Sequence, residues 1–213
     1  MSEAQPGSRS RRVHWDERYR TVGPGQVSWY EAEPRLSLAL VDLAGTSPDA
    51  AVIDVGGGAS GLSGELLARG FDDLTVLDVS EEALAAARRR RADPAAIHWI
   101  RADLLDWTPT RRWDVWHDRA VFHFLTEPDQ RERYRALLHD ALAPEGVVLL
   151  ATFAADGPTT CSGLPVRRYT NDGLLRELGP TYTEVARGRY LHATPSGGDQ
   201  PLSWVVARGP GVA

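Results

Sequence analysis

Residues 52–61, which read VIDVGGGASG, constrain the fold of this chain more than any other stretch. An apolar run that suits a buried strand breaks into glycines and then opens a helix. Gly56 and Gly58 lack a Cβ, so they can adopt positive φ and let a ligand lie against the backbone. A second apolar run ends at Asp78, twenty residues after Gly58. A carboxylate there can hold ribose hydroxyls, so the pattern predicts a nucleotide-type cofactor site.

Asp54, at the end of the first apolar run, favours one kind of nucleotide cofactor. A carboxylate repels a pyrophosphate but can hold the ammonium of an amino-acid moiety. The spacing Gly56-x-Gly58-x-x-Gly61 also satisfies the dinucleotide-binding pattern, so that alternative stays open. A strand-to-helix turn without a ligand is the third interpretation, which the acidic partner Asp78 disfavours.

Apolar runs and helical patterns alternate along the chain and predict its fold class. Strands are expected over residues 51–55, 74–77, 97–100, 113–117 and 147–153. Helices are expected over residues 13–19, 34–43, 60–69, 81–93 and 128–142, and a turn over 143–146. A short helix over 172–178 precedes two extended runs, 182–192 and 202–207. The pattern predicts an α/β, Rossmann-like sheet of seven mostly parallel strands, with helices on both faces and a C-terminal antiparallel hairpin.

The amino-acid composition limits which partners and which cellular compartment we expect. The net charge of −5 gives no broad basic field, so no nucleic-acid partner is expected. All 24 basic residues are arginine, which excludes lysine Schiff-base chemistry and a phosphate-loop lysine. Cys161 is the single cysteine, so we expect neither an intrachain disulfide nor a metal site, and a cytoplasmic location. No apolar run suggests a signal peptide or a membrane span, and no membrane partner is expected.

The length of 213 residues suits one domain. Residues 1–12 are small and polar and are predicted to form a flexible N-terminal arm, which leaves 13–213 as the domain. The run Arg88–Arg91 ends a predicted helix, where cations complement the dipole, and is interpreted as a solvated helix end.

Several motifs together resemble the class I S-adenosylmethionine-dependent methyltransferases. Besides the glycine turn, these are IRADLLDW at 100–107, WDVWHDRAVFHFL at 113–125 and LAPEGVVLLATF at 142–153. The resemblance implies S-adenosyl-L-methionine as cofactor and S-adenosyl-L-homocysteine as product. It also implies that Asp103 takes the exocyclic amine of adenine and that the Leu104 N–H meets a ring nitrogen.

The N-terminal motifs HWDERY and VSWYEAEP resemble a narrower group of small bacterial methyltransferases, and more distantly eukaryotic lysine methyltransferases. In that group the aromatic segment, here 13–34, covers the cofactor. Aromatic rings can shield a sulfonium from water and attract it, although packing anchors would look the same. The predicted cofactor-binding residues are Trp15, Tyr19, Trp29, Tyr30, Asp54, Gly56, Gly57, Gly58, Ser60, Asp78, Val79, Asp103, Leu104 and His117.

Candidate catalytic residues follow the fourth predicted strand, where ligands of parallel sheets bind. His117 or His123 is predicted to act as a base, with Asp118 orienting the imidazole of His117. A packed core histidine is the alternative for His123. The predicted substrate-binding residues are Arg119 and, on the polar loop 157–169, Cys161, Arg167, Arg168 and Tyr169.

The sequence analysis therefore predicts an enzyme that methylates an O, N or S nucleophile of a small molecule. Three alternatives stay open: a protein lysine methyltransferase, a nicotinamide-dependent oxidoreductase and a non-catalytic cofactor-binding module. The absence of an evident substrate domain disfavours the oxidoreductase. The sequence identifies neither the acceptor nor the oligomeric state.

Overall fold

The computed structural model describes residues 8–91 and 93–211. Nine strands are assigned within these ranges: β1 (Val52–Val55), β2 (Leu74–Asp78), β3 (Ile97–Arg101), β4 (Trp113–Arg119), β5 (Leu142–Phe153), β6 (Thr160–Cys161), β7 (Leu164–Pro165), β8 (Thr183–Ala193) and β9 (Asp199–Arg208). Seven of them form one sheet in the order β3-β2-β1-β4-β5-β9-β8, and β6 pairs with β7 separately. The first five strands pair in parallel, and β9 is antiparallel to both of its neighbours.

Six α-helices are assigned in the described ranges: α1 (Ser8–Val22), α2 (Arg35–Ala44), α3 (Leu62–Ala68), α4 (Glu81–Arg89), α5 (Pro128–Ala141) and α6 (Asn171–Leu178). Their boundaries follow local chemistry. The hydroxyl of Ser80 caps α4 by accepting a hydrogen bond from the Ala83 N–H, and Gly45 ends α2 in the left-handed region.

Helices cover both faces of the sheet. On one face, Leu40 of α2 and Leu66 of α3 pack with Val115 of β4 in a continuous apolar cluster. On the other face, Leu137 of α5 packs with Trp116 and Ile53. Side chains of a strand alternate between the two faces, so β4 contributes to both clusters. The predicted Rossmann-like sheet with helices on both faces and a C-terminal hairpin is confirmed.

Three local predictions need correction. Helix α1 begins at Ser8, so residues 8–12 are helical and only residues 1–7 of the predicted arm lie outside the described chain. The predicted turn at 143–146 is an irregularity within β5, with Glu145 at a φ of 60°. The hairpin of β6 and β7 falls in a segment that was predicted to be a loop.

Candidate functional site

The glycine turn after β1 leaves no room for side chains. Gly56 and Gly58 have φ values of 63° and 51°, the left-handed region that favours glycine. A Cβ on Gly58 would lie 2.6 Å from the Tyr19 hydroxyl and 3.2 Å from Asp78 Oδ2, and one on Gly57 would lie 2.5 Å from Asp54 Oδ2. The turn is therefore a cradle at the point where β1 and β2 end.

Asp78 lies in this cradle, at the end of β2. Its Oδ1 accepts a hydrogen bond of 2.7 Å from the Ser80 N–H, and the residue is buried. Burial raises its pKa to about 7; the Ser80 hydrogen bond opposes this rise and the nearby carboxylate of Asp54 adds to it. A carboxyl held in such surroundings gains from any ligand that donates hydrogen bonds to it.

Asp103 lies one strand further along, just after β3. Its Oδ1 accepts from the Leu105 N–H at 3.1 Å, and its Oδ2 accepts from Arg11 Nε at 2.7 Å. Asp103 and Arg11 line a cavity, together with Val79 and Leu104. Arg11 is a cavity residue that the sequence analysis missed, because nothing in the sequence connects α1 with the end of β3.

Aromatic side chains from the N-terminal segment cover the cavity. Trp15, Tyr19 and Trp29 line it, and Trp29 Nε1 donates a 3.1 Å hydrogen bond to the Tyr19 hydroxyl. The ring of Trp15 meets those of Trp29 and Phe124 edge-on, with centroids 5.5 and 5.1 Å apart. Tyr30 lies over a smaller neighbouring cavity beside Asp54 and the glycine turn.

His117 does not face either cavity, contrary to its predicted role as a base. Its Nδ1 lies 2.7 Å from Asp54 Oδ1, its Nε2 lies 2.9 Å from Ser37 Oγ, and the residue is buried. Both ring nitrogens are thus occupied by protein partners on β1 and α2. Asp118 cannot orient this imidazole, because adjacent residues of a strand point to opposite faces.

Asp118 and His123 are also held inside the protein. Asp118 accepts hydrogen bonds from the Val121 N–H at 2.9 Å and the Tyr134 hydroxyl at 2.8 Å, and burial raises its pKa to about 6. His123 is fully buried, and its Nδ1 accepts a 3.4 Å hydrogen bond from the Phe153 N–H. Burial lowers the His123 pKa to about 3, so it is a poor proton acceptor; the packed-core interpretation fits its position.

The far end of the cavity lies beyond β4, over the ends of β5 and β9. We call it the apolar compartment; it is lined by Phe124, Phe153, Cys161, Leu164, Gln200 and Leu202, with Arg119 and His192 on its polar side. Arg119 and Cys161 are predicted substrate residues that the structure brings here. Burial raises the pKa of the Cys161 thiol to about 12, which keeps it protonated.

Arg119 and His192 share a buried carboxylate, Glu31. Glu31 Oε1 lies 3.1 Å from His192 Nδ1, and Oε2 lies 3.9 Å from Arg119 Nη1. Arg119 Nη2 also donates to the Trp29 carbonyl at 3.1 Å, and His192 Nε2 lies 2.7 Å from the Ser28 carbonyl. These contacts connect residues 28–31 with β4 and β8.

Comparison with known proteins gives a match over the part of the chain that contains the glycine turn. Residues 52–146, which contain the glycine turn and the strand ends around it, match the family model for a methyltransferase domain. This part of the chain, somewhat less than half of it, is thus similar to a methyltransferase domain. None of the curated proteins matches the chain significantly.

Solved structures share the fold of this chain at low sequence identity. One is the Burkholderia thailandensis 1,6-didemethyltoxoflavin-N1-methyltransferase with bound 1,6-didemethyltoxoflavin and S-adenosylhomocysteine; it has 21% identity and a TM-score of 0.74, over 99% of this chain and 93% of that one. A structure described as the conversion of a disulfide bond into a thioacetal group during echinomycin biosynthesis has 22% identity and a TM-score of 0.74, over 95% and 94% of the two chains. The [4+2]-cyclase SpnF has 14% identity and a TM-score of 0.72, over 100% of both chains.

Two arginines hold the glycine turn by hydrogen bonds, which corrects the interpretation of Arg88–Arg91 as a solvated helix end. Arg90 donates to the carbonyl of Ala59, and Arg91 Nη2 lies 3.2 Å from the carbonyls of both Ser60 and Gly61. The Ser60 hydroxyl accepts from the Leu62 N–H at 3.1 Å and so supports the start of α3.

Three predicted substrate residues are not among those that line the cavity. Arg168 donates to the Gly157 carbonyl at 3.1 Å, and the Arg167 guanidinium lies 5.4 Å from the centre of the Tyr169 ring. Tyr169 is buried against Phe122, with ring centroids 5.4 Å apart. These residues hold the loop 157–169 against the domain. The structure thus does not bring them to the site.

Among residues 8–91 and 93–211, no helix is long and apolar enough to cross a membrane. The same residues include no group of three or more His, Cys, Asp or Glu side chains arranged to hold a metal ion.

Proposed function

We propose that this protein is an S-adenosylmethionine-dependent methyltransferase acting on an O, N or S nucleophile of a small molecule. One observation carries the proposal: a single cavity runs from Asp78 and Asp103 past Gly56 to the apolar compartment. It has acidic groups at one end, a glycine turn in the middle and an apolar end that can take an acceptor.

The residues fit the cofactor. A Cβ on Gly58 would collide with the Tyr19 hydroxyl, so only glycine leaves the backbone accessible here, and the neighbouring buried carboxyl of Asp78 suits two ribose hydroxyls. In this proposal Asp103 accepts a hydrogen bond from the adenine amine once Arg11 shifts, and the Leu104 N–H meets a ring nitrogen. Asp54 borders the smaller cavity beside the turn and suits the ammonium group. When bound, the cofactor supplies a methyl group activated by a positively charged sulfur.

In this proposal the aromatic side chains over the cavity, which we call the aromatic cover, have two roles. Trp15, Tyr19 and Trp29 exclude water from the middle of the cavity, and their rings attract a cation. The Tyr19 hydroxyl approaches the glycine turn while it accepts from Trp29, so the cover and the cradle are in direct contact.

The enclosure of the apolar compartment favours a small acceptor over a protein side chain. Phe153, Cys161, His192 and Leu202 are each less than a tenth exposed. A folded protein substrate would need a channel through this cover, whereas a small molecule needs only the same opening as the cofactor.

The experiment is incubation of the protein with methyl-labelled S-adenosylmethionine and a cell extract, followed by separation of proteins from small molecules. We expect label in the small-molecule fraction, and its loss with the Asp78→Ala variant. Label in protein bands would instead support the lysine methyltransferase alternative.

A second experiment tests the alternatives of an oxidoreductase and a non-catalytic binding module. The cyclase among the structural neighbours shows that this fold serves reactions other than methyl transfer. Thermal-shift scans compare S-adenosylhomocysteine with the nicotinamide cofactors. Stabilisation by the nicotinamides alone would contradict the proposal, and binding of S-adenosylmethionine without label in any fraction would indicate a module that binds but does not transfer.

A further inference from the structure

Glu31 carries a buried oxygen that has no hydrogen-bond partner. Its Oε1 lies 3.1 Å from His192 Nδ1, but no donor of the described residues reaches Oε2. Arg119 Nη1 lies 3.9 Å from Oε2, which is beyond hydrogen-bond distance. The Glu31 side chain is only 7% exposed, so water has little access to it. A buried acceptor without a donor costs free energy, which a bound donor would recover.

This oxygen belongs to a carboxylate. Burial alone would raise the Glu31 pKa, but hydrogen bonding to His192 and the charge of Arg119 lower it overall. Tyr190 contributes less to this lowering, and its hydroxyl makes no hydrogen bond to Oε2. Glu31 is therefore ionised at neutral pH. Attraction between opposite charges strengthens a hydrogen bond, so Oε2 favours a donor that carries a positive charge.

The smaller cavity brings this carboxylate together with a second one. Glu31 and Asp54 both line it, beside the glycine turn. The Asp54 side chain is only 8% exposed, and its Oδ1 lies 2.7 Å from His117 Nδ1. Arg119 is the one basic residue among the described residues that line this cavity, and its Nη2 donates to the Trp29 carbonyl. The lining therefore offers acceptors to a ligand more than it offers donors.

Aromatic residues complete the lining of the smaller cavity. Tyr19, Trp29 and Tyr30 all belong to it. Aromatic rings attract organic cations, and carboxylates accept their hydrogen bonds. A primary ammonium group suits both kinds of partner, because it carries a positive charge and three N–H donors on one atom.

We propose that Glu31 and Asp54 together form a subsite for a primary ammonium group, in which Glu31 Oε2 accepts a hydrogen bond from that group. The amino-acid end of an S-adenosyl cofactor carries such a group, so this inference rests on the proposed function and deepens it. A separate small amine is the other source of the same chemistry. Since residues 28–31 contact β4 and β8, an ammonium group here would connect the N-terminal segment with the glycine turn.

Calorimetry with two matched ligands tests the subsite. S-Adenosylhomocysteine is compared with its desamino analogue, in which hydrogen replaces the ammonium group and the carboxylate remains. We expect the wild type to bind S-adenosylhomocysteine about tenfold to a hundredfold more tightly than the analogue. Glu31→Gln keeps the shape of the side chain and removes its charge. This variant should lose most of the preference, while its affinity for the desamino analogue stays nearly unchanged.

Two further variants make the result specific. Glu33→Gln is the matched control, because Glu33 lies two residues away, its side chain is 70% exposed and it does not line either cavity. Glu31→Asp serves if Glu31→Gln does not fold; its shorter side chain should weaken binding of S-adenosylhomocysteine alone. Equal affinities of both ligands in the wild type, or an unchanged preference in Glu31→Gln, would overturn the inference. Equal losses for both ligands would overturn it too, because Glu31 would then only hold the segment in place.

The wild-type titration separates this inference from the proposed function. If S-adenosylhomocysteine binds without a preference over the desamino analogue, this inference alone fails. If S-adenosylhomocysteine does not bind, the proposed function fails, and ethylammonium becomes the probe, followed by NMR of the Trp29 indole N–H in ¹⁵N-labelled protein. A saturable shift that Glu31→Gln abolishes would support the subsite with a separate amine as its ligand. No such shift would overturn the subsite as well.

Discussion

His117 Nδ1 lies 2.7 Å from Asp54 Oδ1, and the two residues are direct neighbours on the parallel strands β4 and β1. On the other side of the ring, Nε2 meets the Ser37 hydroxyl of α2 at 2.9 Å. The imidazole thus holds Asp54 in place beside the glycine turn. We infer that His117 is a positioning residue for the cofactor end of the site.

Replacing His117 with alanine separates positioning from base catalysis. We expect a loss of roughly 1–3 kcal/mol in the free energy of unfolding, because Asp54 loses a buried partner. Affinity for S-adenosylhomocysteine should fall about tenfold, and kcat at saturating cofactor should keep its pH profile. Ser37→Ala is the control, with a smaller effect on affinity. A large fall in kcat with unchanged affinity would restore the role of general base.

Burial of Asp78 predicts a distinctive pH dependence of stability. The pKa is about 7 in the folded protein and about 4 in an unfolded chain. The unfolded chain therefore loses this proton first, and stability falls as pH rises from about 4 through about 7. Asp78→Asn should abolish this part of the fall and be more stable than the wild type at pH 8 by up to about 4 kcal/mol, without cofactor.

Chemical denaturation of both proteins at several pH values measures this difference. Asp72→Asn is the control, because Asp72 is exposed. If the wild-type and Asp78→Asn stability curves run parallel between pH 4 and 8, Asp78 is not the buried carboxyl described above.

The arginines at the end of α4 predict a second effect on the glycine turn. The double change Arg90→Gln with Arg91→Gln removes the donors to the carbonyls of residues 59–61. We expect a loss of about 1–2 kcal/mol in stability and a severalfold loss of cofactor affinity, from melting curves and calorimetry. Arg89→Gln, at an exposed neighbour, should change neither quantity. An unaltered affinity in the double variant would show that the turn needs no brace.

Arg11 predicts how the N-terminal helix responds to the cofactor. Its Nε holds Asp103 Oδ2, where the adenine amine is proposed to bind. Binding should displace this ion pair, so Arg11→Gln should retain or raise affinity while hydrogen exchange in α1 becomes faster in the cofactor-free protein. Slower exchange in the variant would contradict this competition.

The sequence analysis brought the glycine turn and Asp78 together because this part of the candidate site is made by local pattern. Gly56, Gly58 and Asp78 follow from strands that end at one edge of a parallel sheet. The partners that finish the site come from distant parts of the chain. Arg11 lies 92 residues from Asp103, and Glu31 lies 161 residues from His192. Neither pairing has a local signal.

The wrong predictions have a physical reason as well. A position at the end of β4 predicts exposure to the ligand, but side chains alternate along the strand, so His117 points toward α2 and Asp118 toward Tyr134 of α5. The polarity of loop 157–169 predicts contact with the substrate. Its arginines instead bond to the loop itself and to α6.

The central claim is that the glycine turn and Asp78 bind an S-adenosyl cofactor, and isothermal titration of S-adenosylhomocysteine into the wild type and Asp78→Ala tests it most directly. We predict saturable binding by the wild type and an affinity about one to two orders of magnitude lower in the variant, with its fold intact. No binding by the wild type, or equal affinity in the two proteins, would contradict the account.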